Sequence, residues 1–277
     1  KTPRVKIIAY LDDVKKHTTN ALFAVQLAHS GRKASGIKPW HGGGQLPVDH
    51  EDGWQTVSAS AIPFNEQDTM PHSLSLQQIQ QLKQDFASAA VRAVEAGFDL
   101  IEIHGAHGYL LHQFLSPLSN LRDDEYGGCL ENRMRLTLEV VDAIKQAVPQ
   151  NYPVGIRISA TDWVDGGWDL DSSIVLAELL DEMGVAYIHV STAGLHRDQN
   201  IDIKPNYQVP FAEAIKAKVN TPVIAVGLIT EAKQAEQILQ DGQADAIGIA
   251  RAILYQPRWP WQAAVALGEK IGIAPQY

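Results

Sequence analysis

The chain has 277 residues, of which 45% are hydrophobic and 20% charged, a composition typical of a folded globular enzyme and not of a disordered or fibrous chain. Its 32 acidic residues against 23 basic ones give a formal net charge of −9, which would repel a nucleic-acid backbone or an anionic membrane. The chain has one cysteine, no signal-peptide pattern and no long apolar run. We therefore expect a cytoplasmic protein with neither a nucleic-acid nor a membrane partner.

Short β-branched segments alternate with longer amphipathic segments, and this alternation predicts repeated βα units around a buried parallel sheet. The predicted strands are Ala21–Leu27, Asp99–His104, Val154–Ser159, Ala186–Ser191, Pro222–Val226 and Ala244–Ala250. The predicted helices are Leu76–Ala96, Asn132–Ala147, Ser172–Met183, Phe211–Val219 and Glu231–Gln240. Ser75 should cap the first of these helices, and Gly184 and Gly242 should end two others.

The predicted fold class is α/β, a (β/α)8 TIM barrel in which about six of the eight βα units are recognisable. Either the chain begins after the first two units, which we favour, or the segment Val5–Tyr10 is a remnant of one of them. No Gly/Ser-rich or Pro-rich linker separates two halves, so we expect residues 1–277 to form a single barrel domain. The irregular stretch Gly31–Ser73 is long for a βα connection and predicts a functional loop.

The active site of a parallel barrel lies at the carboxyl ends of the strands, so polar residues there are candidates for chemistry. His104 ends a predicted strand and His107 follows three residues later, so both imidazoles can donate hydrogen bonds to one substrate oxygen. The same pair could instead be structural, or could bind a metal with His112 and Glu102, although no second ligand group recurs downstream. Tyr109 could deliver a proton through its phenol or could simply pack.

Four other predicted strands carry, or are followed by, residues suited to a cofactor. The amide of Gln26 could donate to and accept from a heterocycle, or could be buried and bonded to backbone. Arg157 lies among apolar residues, where a cation needs an anion, a polar ligand or a buried ion pair. Gly227 and Arg251 follow the last two predicted strands, where barrels commonly bind phosphate through backbone amides and an arginine.

Several longer motifs occur in order along the chain: QLAHSGRKAS (26–35), GFDLIEIHGAHGYLLHQFLSPLSNLRDDEYGG (97–128), ENRMR (131–135), RISATDW (157–163), AVGLIT and GIAR. In order and spacing they resemble the old yellow enzyme family of flavin-dependent ene-reductases, in the branch of YqjM and xenobiotic reductase. The resemblance implies a barrel that binds FMN and uses NADPH, or NADH, as reductant. It also implies ping-pong hydride transfer to activated C=C bonds of α,β-unsaturated carbonyl or nitro compounds.

The resemblance assigns a cofactor-binding set. Gln26 would contact the pyrimidine edge of the flavin, and Arg157 would contact the isoalloxazine or ribityl side. Gly227 and Arg251 would hold the phosphate, together with Ala250, which stands where a glycine often precedes the phosphate arginine in the family.

The resemblance also assigns a catalytic set. His104 and His107 would hydrogen-bond the carbonyl or nitro oxygen of the substrate, and Tyr109 would be the proton donor. No metal is expected. A further polar group is expected to lock a loop rather than to act on substrate: Asn120, Arg122, Glu131 and Arg133.

Family members begin with two βα units that we expect this chain to lack, so it should be N-terminally incomplete relative to the family. We expect a small-molecule alkene as substrate. We also expect a homo-oligomer, because unpaired barrel edges or a family-type interface would both favour self-association. One alternative function is a truncated homologue without flavin turnover that acts as a binding or assembly protein. Another is a barrel lyase or isomerase that uses His104 and His107 as acid and base.

Overall fold

The computed structural model describes residues 10–11, 13–16 and 21–272. Six strands lie parallel in one sheet, in the order in which they follow along the chain. They are β1 (Ala24–Leu27), β4 (Leu100–Gly105), β5 (Val154–Ser159), β6 (Ile188–Ser191), β7 (Val223–Ala225) and β8 (Ala246–Ile247). Two further short strands, β2 (Val57–Ser58) and β3 (His72–Ser73), pair with each other. All six predicted strands are therefore confirmed.

The strand ends differ from the prediction most at the edges of the sheet. The first strand begins at Ala24, not at Ala21, and the last covers only Ala246–Ile247 of the predicted Ala244–Ala250. The Gly248 N–H still donates to the Ala225 carbonyl, but the chain then turns into a helix at Arg251. An edge strand has one neighbour, so its ladder ends where that neighbour ends.

The described helices are α1 (Leu76–Glu95), α2 (Leu110–Leu115), α3 (Leu130–Ala147), α4 (Leu170–Glu182), α5 (Val209–Lys216), α6 (Ala232–Gln240), α7 (Arg251–Tyr255) and α8 (Trp259–Ala266). Between β1 and β2 lie two 3-10 turns, Gly31–Lys33 and Pro39–His41. The five predicted helices correspond to α1, α3, α4, α5 and α6. The helix α2 was not predicted because all of its residues are buried, so it shows no amphipathic period.

The predicted helix ends are confirmed. The Ser75 hydroxyl accepts a hydrogen bond from the Gln78 N–H, and the Gln78 side chain accepts one from the Ser75 N–H, which completes a capping box. Gly184 and Gly242 follow α4 and α6 with φ of +66° and +71°. These left-handed values favour glycine and end the helices.

The two faces of the central strands differ in chemistry, because side chains alternate along each strand. One face is fully buried against the helices and is apolar: Ile101, Ile103, Ile156, Ile158, Ile188, Val190, Val223 and Ala225. The other face is polar. The register pairs His104 with Arg157, and Arg157 with His189, so these side chains lie side by side on it.

The strands β1 and β8 are the two edges of the sheet within the described part of the chain. The parallel direction, the sequence order and the intervening helices confirm the predicted α/β architecture of a TIM barrel, with six strands described. Apart from Tyr10, the segment Val5–Tyr10 lies outside the described residues. A single domain over residues 1–277 and self-association stay predictions. Within the described ranges, every helix is too short or too polar to cross a bilayer.

Three of the four residues predicted to lock the loop before α3 do form hydrogen bonds that hold it: Asn120, Arg122 and Arg133. The buried Asn120 amide donates to the carbonyl oxygens of Phe114 and Tyr126, at 2.6 and 2.7 Å. Two arginines, Arg122 and Arg133, donate to backbone carbonyls around the same loop: those of Ala59, Leu74, Leu115 and Gly128. Glu131 was expected to join this network, but it lies exposed in the first turn of α3 and takes no part in these bonds.

The variant Asn120→Ala is expected to lower the free energy of unfolding by about 2–3 kcal/mol, because two buried carbonyls lose their donor. Urea denaturation measures the change. Leu121→Ala is the matched control, since the neighbouring Leu121 is 71% exposed and its truncation should cost less than about 0.5 kcal/mol. Equal destabilisation by the two variants would contradict the role given to Asn120.

Candidate active site

The turn that follows β4 carries two of the three predicted catalytic residues, His107 and Tyr109, and the third, His104, lies near the end of β4 itself. His107 and Gly108 are both left-handed, with φ of +56° and +72°, and such a value is uncommon for a residue other than glycine. A Cβ atom on Gly108 would lie 2.1 Å from the Gly194 carbonyl oxygen, so only glycine lets the turn pack against that loop. The turn places Tyr109 at the N-cap of α2.

Side chains from three parts of the chain hold this turn. The His107 N–H donates to Ser159 Oγ at 2.9 Å, and the Gly108 N–H donates to His112 Nδ1 at 2.9 Å. Gln113 Nε2 donates to the Gly108 carbonyl at 2.7 Å, and Lys33 Nζ donates to the His107 carbonyl at 3.0 Å. The backbone of the turn is therefore fixed by hydrogen bonds before any ligand binds.

Both ring nitrogens of His112 are occupied within the protein. Nδ1 accepts from the Gly108 N–H, and Nε2 lies 2.9 Å from Asp162 Oδ1, with both side chains fully buried. Burial would raise the pKa of Asp162, but the His112 ring and hydrogen bonds from Ser116 and Trp168 outweigh burial and lower it. His112 is thus unavailable to a metal, and the described residues contain no metal-binding group of three or more His, Cys, Asp or Glu side chains.

The structure brings the three predicted catalytic rings together. The ring centroid of His104 lies 5.1 Å from that of His107 and 4.9 Å from that of Tyr109, which it meets edge-on. Burial, followed by the positive charge of Arg157, lowers the pKa of His104 to about 4 and that of His107 to about 2. Both imidazoles are therefore neutral at pH 7, and each carries one N–H donor.

A cavity of about 520 Å³ opens at the carboxyl ends of β5 to β8, within the range of small-molecule sites. Five of the predicted site residues line it: His107, Arg157, Gly227, Ala250 and Arg251. Its described lining contains two arginines and no carboxylate, so it suits an anionic ligand. Gly227 has a φ of +121°, and a Cβ there would lie 3.0 Å from the Cβ of Gln208.

Gln26, by contrast, does not line this cavity. Its amide donates to Glu102 Oε1, while Glu102 Oε2 lies 2.9 Å from His189 Nδ1. Burial would raise the pKa of Glu102, but hydrogen bonds from His189 and Gln26 and the charge of Arg157 outweigh burial and lower it. Glu102 is therefore an ionised carboxylate held within the polar face of the sheet.

Sequence reasoning missed several residues that support the site. His189 could have been found, because it interrupts an apolar strand as Arg157 does. Ser191 lies 2.8 Å, through its Oγ, from His107 Nε2, and Lys33 bonds the turn from a distant loop. No local pattern in the sequence marks these last two contacts, since they join residues far apart in the chain.

The sequence matches the NADH:flavin oxidoreductase / NADH oxidase family over residues 9–269. It is 44% identical to an NADPH dehydrogenase of Geobacillus sp. (strain WCH70) over 264 residues, which cover 95% of this chain and 72% of that protein. It is also 44% identical to an NADPH dehydrogenase of Bacillus subtilis (strain 168) over 254 residues, covering 91% of this chain and 69% of the relative.

Two solved structures have a similar fold. Morphinone reductase in complex with tetrahydroNAD matches with a TM-score of 0.74 and 28% identity, covering 100% of this chain and 74% of that one. Histamine dehydrogenase from Rhizobium sp. 4-9 matches with a TM-score of 0.77 and 28% identity over 95% of this chain. The match covers 36% of the histamine dehydrogenase chain.

Acidification is expected to destabilise the fold through His104. Its pKa is about 4 in the folded chain and about 6.5 when unfolded, so the unfolded state binds the proton more readily between these values. The contribution of His104 is fully present above pH 6.5 and is lost as the pH falls towards 4. Between pH 7 and pH 5, urea denaturation should show a loss about 1–2 kcal/mol smaller for His104→Asn than for wild type. His72→Asn, at an exposed position, should keep the wild-type loss, and an unchanged loss in His104→Asn would be evidence against this assignment.

Proposed function

Since the chain belongs to the NADH:flavin oxidoreductase / NADH oxidase family, we propose that it is an FMN-dependent NADPH oxidoreductase that reduces activated C=C bonds. Its substrates are small α,β-unsaturated carbonyl or nitro compounds. Family membership confirms an oxidoreductase of the old yellow enzyme type. The observation that supports the reduction of activated C=C bonds is the cluster of two neutral histidines and a tyrosine beside an arginine-lined cavity.

The described cavity fits a flavin nucleotide in volume and in charge. Arg251 begins α7 and is exposed, and its guanidinium would hold the phosphate with the backbone of Gly227 and Ala250. Arg157 would contact the ring or the ribityl side. The contact of Gln26 with the pyrimidine edge stays a prediction, because Gln26 lies outside the described cavity lining and its amide donates to Glu102. When bound, FMN accepts hydride from NADPH and delivers it to the β-carbon of the alkene.

His104 and His107 would act on the oxygen of the substrate. Negative charge builds on this oxygen as the alkene is reduced, and fixed N–H donors stabilise that charge more than they stabilise the ground state. Because both rings are neutral, they would act by hydrogen bonding and not by transferring a proton. The turn that holds His107 is already ordered, so little reorganisation is needed at the moment of reaction.

Tyr109 would complete the reduction by giving its phenolic proton to the α-carbon. Its ring meets His104 edge-on at 4.9 Å, so the phenol and the oxygen-binding donors belong to one cluster. A phenol carries one O–H donor, which it can give to a carbanion-like carbon. The one proton that the reduction needs besides the hydride would therefore come from Tyr109, which would be reprotonated from solvent.

The variant His104→Ala is expected to reduce 2-cyclohexen-1-one about a hundredfold more slowly with NADPH, because one donor to the developing oxyanion is lost. Its FMN content should stay at the wild-type level, since His104 is not among the residues that line the cavity. Steady-state rates normalised to bound flavin measure the effect, with the exposed His50→Ala as control. Loss of FMN from His104→Ala would show a structural histidine, and a wild-type enzyme that binds FMN but never reduces the alkene would refute the function.

Arg251→Ala is expected to weaken FMN about ten- to a hundredfold and riboflavin much less, because the missing charge-assisted bond is to the phosphate. Titration of the flavin-free protein, followed by quenching of flavin fluorescence, gives both affinities. Arg197→Ala is the control, since Arg197 is half exposed and does not line the cavity. Equal weakening of the two ligands would place Arg251 away from the phosphate.

A further inference from the structure

The ring of His107 is connected to three buried polar side chains. His107 Nε2 lies 2.8 Å from Ser191 Oγ, which donates to Gln208 Oε1 at 3.1 Å. Thr192 Oγ1 donates to the same amide oxygen at 2.8 Å. Ser191, Thr192 and Gln208 are 3, 4 and 5% exposed, so bulk water does not replace these partners.

With the Ser191 hydroxyl directed at Gln208, counting protons along this chain gives the tautomer of His107. A serine hydroxyl has one proton, and Ser191 gives it to Gln208. The Ser191 oxygen must then accept from His107, so the single proton of the neutral ring lies on Nε2. Nδ1 is the nitrogen left for a ligand in the cavity, and it carries a lone pair.

A carbonyl or nitro oxygen requires the opposite arrangement, because it only accepts hydrogen bonds. His107 can donate to such an oxygen from Nδ1 only if Nε2 has lost its proton and accepts a hydrogen bond in its turn. Ser191 can supply that bond by rotating its hydroxyl from Gln208 to His107. Gln208 keeps its bond from Thr192, so the amide oxygen is not left without a donor.

We propose that Ser191 and Gln208 are positioning residues that set which ring nitrogen of His107 carries the proton, an inference that rests on the proposed function. In the ligand-free enzyme Ser191 donates to Gln208, and His107 is protonated at Nε2. When a substrate oxygen binds, Ser191 donates to His107, and the ring is protonated at Nδ1. The ring releases one proton to cavity water and takes one from it, so its net charge does not change.

Nitrogen-15 NMR of histidine-labelled enzyme tests this directly, since the ring shifts distinguish the two tautomers. The FMN-loaded, oxidised enzyme is measured without NADPH, so 2-cyclohexen-1-one binds without being reduced. The His107 signals are assigned by their loss in His107→Asn. We expect the Nε2–H tautomer in the free enzyme and the Nδ1–H tautomer with saturating cyclohexenone. A single unchanged tautomer in both states would overturn the inference.

Two substitutions separate tautomer control from a general structural role. Gln208→Met removes the acceptor of Ser191, so Ser191 should donate to His107, and the free enzyme should already show the Nδ1–H tautomer. Ser191→Ala should abolish the change of tautomer and weaken cyclohexenone roughly three- to tenfold, the loss of one neutral hydrogen bond. Ser191→Thr keeps a hydroxyl and should restore both properties.

The outcomes also distinguish this inference from the proposed function. If wild type binds FMN but not cyclohexenone, the proposed function fails, while the free-state tautomer and its change in Gln208→Met still decide the role of Ser191. If cyclohexenone binds and Gln208→Met leaves the free tautomer unchanged, only the inference fails. The flavin absorbance spectrum of each variant reports whether its site has formed.

Discussion

Two successive left-handed residues after β4, His107 and Gly108, decide where the rings proposed for catalysis lie. A non-glycine residue in that conformation costs on the order of 1–2 kcal/mol, and His107 keeps it because the surrounding structure leaves no alternative. Gly108 packs closely against the Gly194 carbonyl, and its N–H donates a hydrogen bond to Nδ1 of the buried His112. His112 is in turn held by Asp162. If this turn relaxed, the three aromatic rings would no longer meet.

The polar face of the sheet shows how the charges around the cavity are arranged. The carboxylate of Glu102 accepts a hydrogen bond from Gln26 and lies within hydrogen-bond distance of His189, so partners within the sheet stabilise its negative charge. The two arginines of the described lining face the cavity, and burial together with the charge of Arg157 lowers the pKa of His104 and of His107. Arg157 thus suits the cavity to an anion and, after burial, is the second cause that keeps neutral the two rings proposed to bind the substrate oxygen.

Much of the fold could be predicted from the sequence, because buried parallel strands have a strong local signal. Val154–Ser159 was predicted with its observed bounds. The helix Leu110–Leu115 was missed, since it is buried on every side and has no polar face. At the site, His104 could be found from its position at a strand end, and Arg157 could be found as a cation within an apolar strand. The partner of Gln26 could not, because the bond to Glu102 joins residues 76 apart and is a consequence of strand register.

The same limit applies to the hydrogen bonds that define the state of the site. Ser191 and His107 are 84 residues apart, and a serine that ends an apolar strand carries no local sign that it bonds the ring of a distant histidine. Motif resemblance identifies which residues to examine, and the three-dimensional contacts identify what each of them can donate or accept. The roles proposed for Ser191 and His107 rest on such contacts.

The central claim is that the alkene, and not only oxygen, is the oxidant of the reduced enzyme. Its most direct test is an anaerobic absorbance experiment in which the FMN-loaded protein is first bleached with one equivalent of NADPH. The account predicts that 2-cyclohexen-1-one then restores the oxidised flavin band and yields an equal amount of cyclohexanone. A flavin that stays bleached with the alkene, and whose oxidised band returns only when air is admitted, would contradict it and would assign the protein an oxidase function.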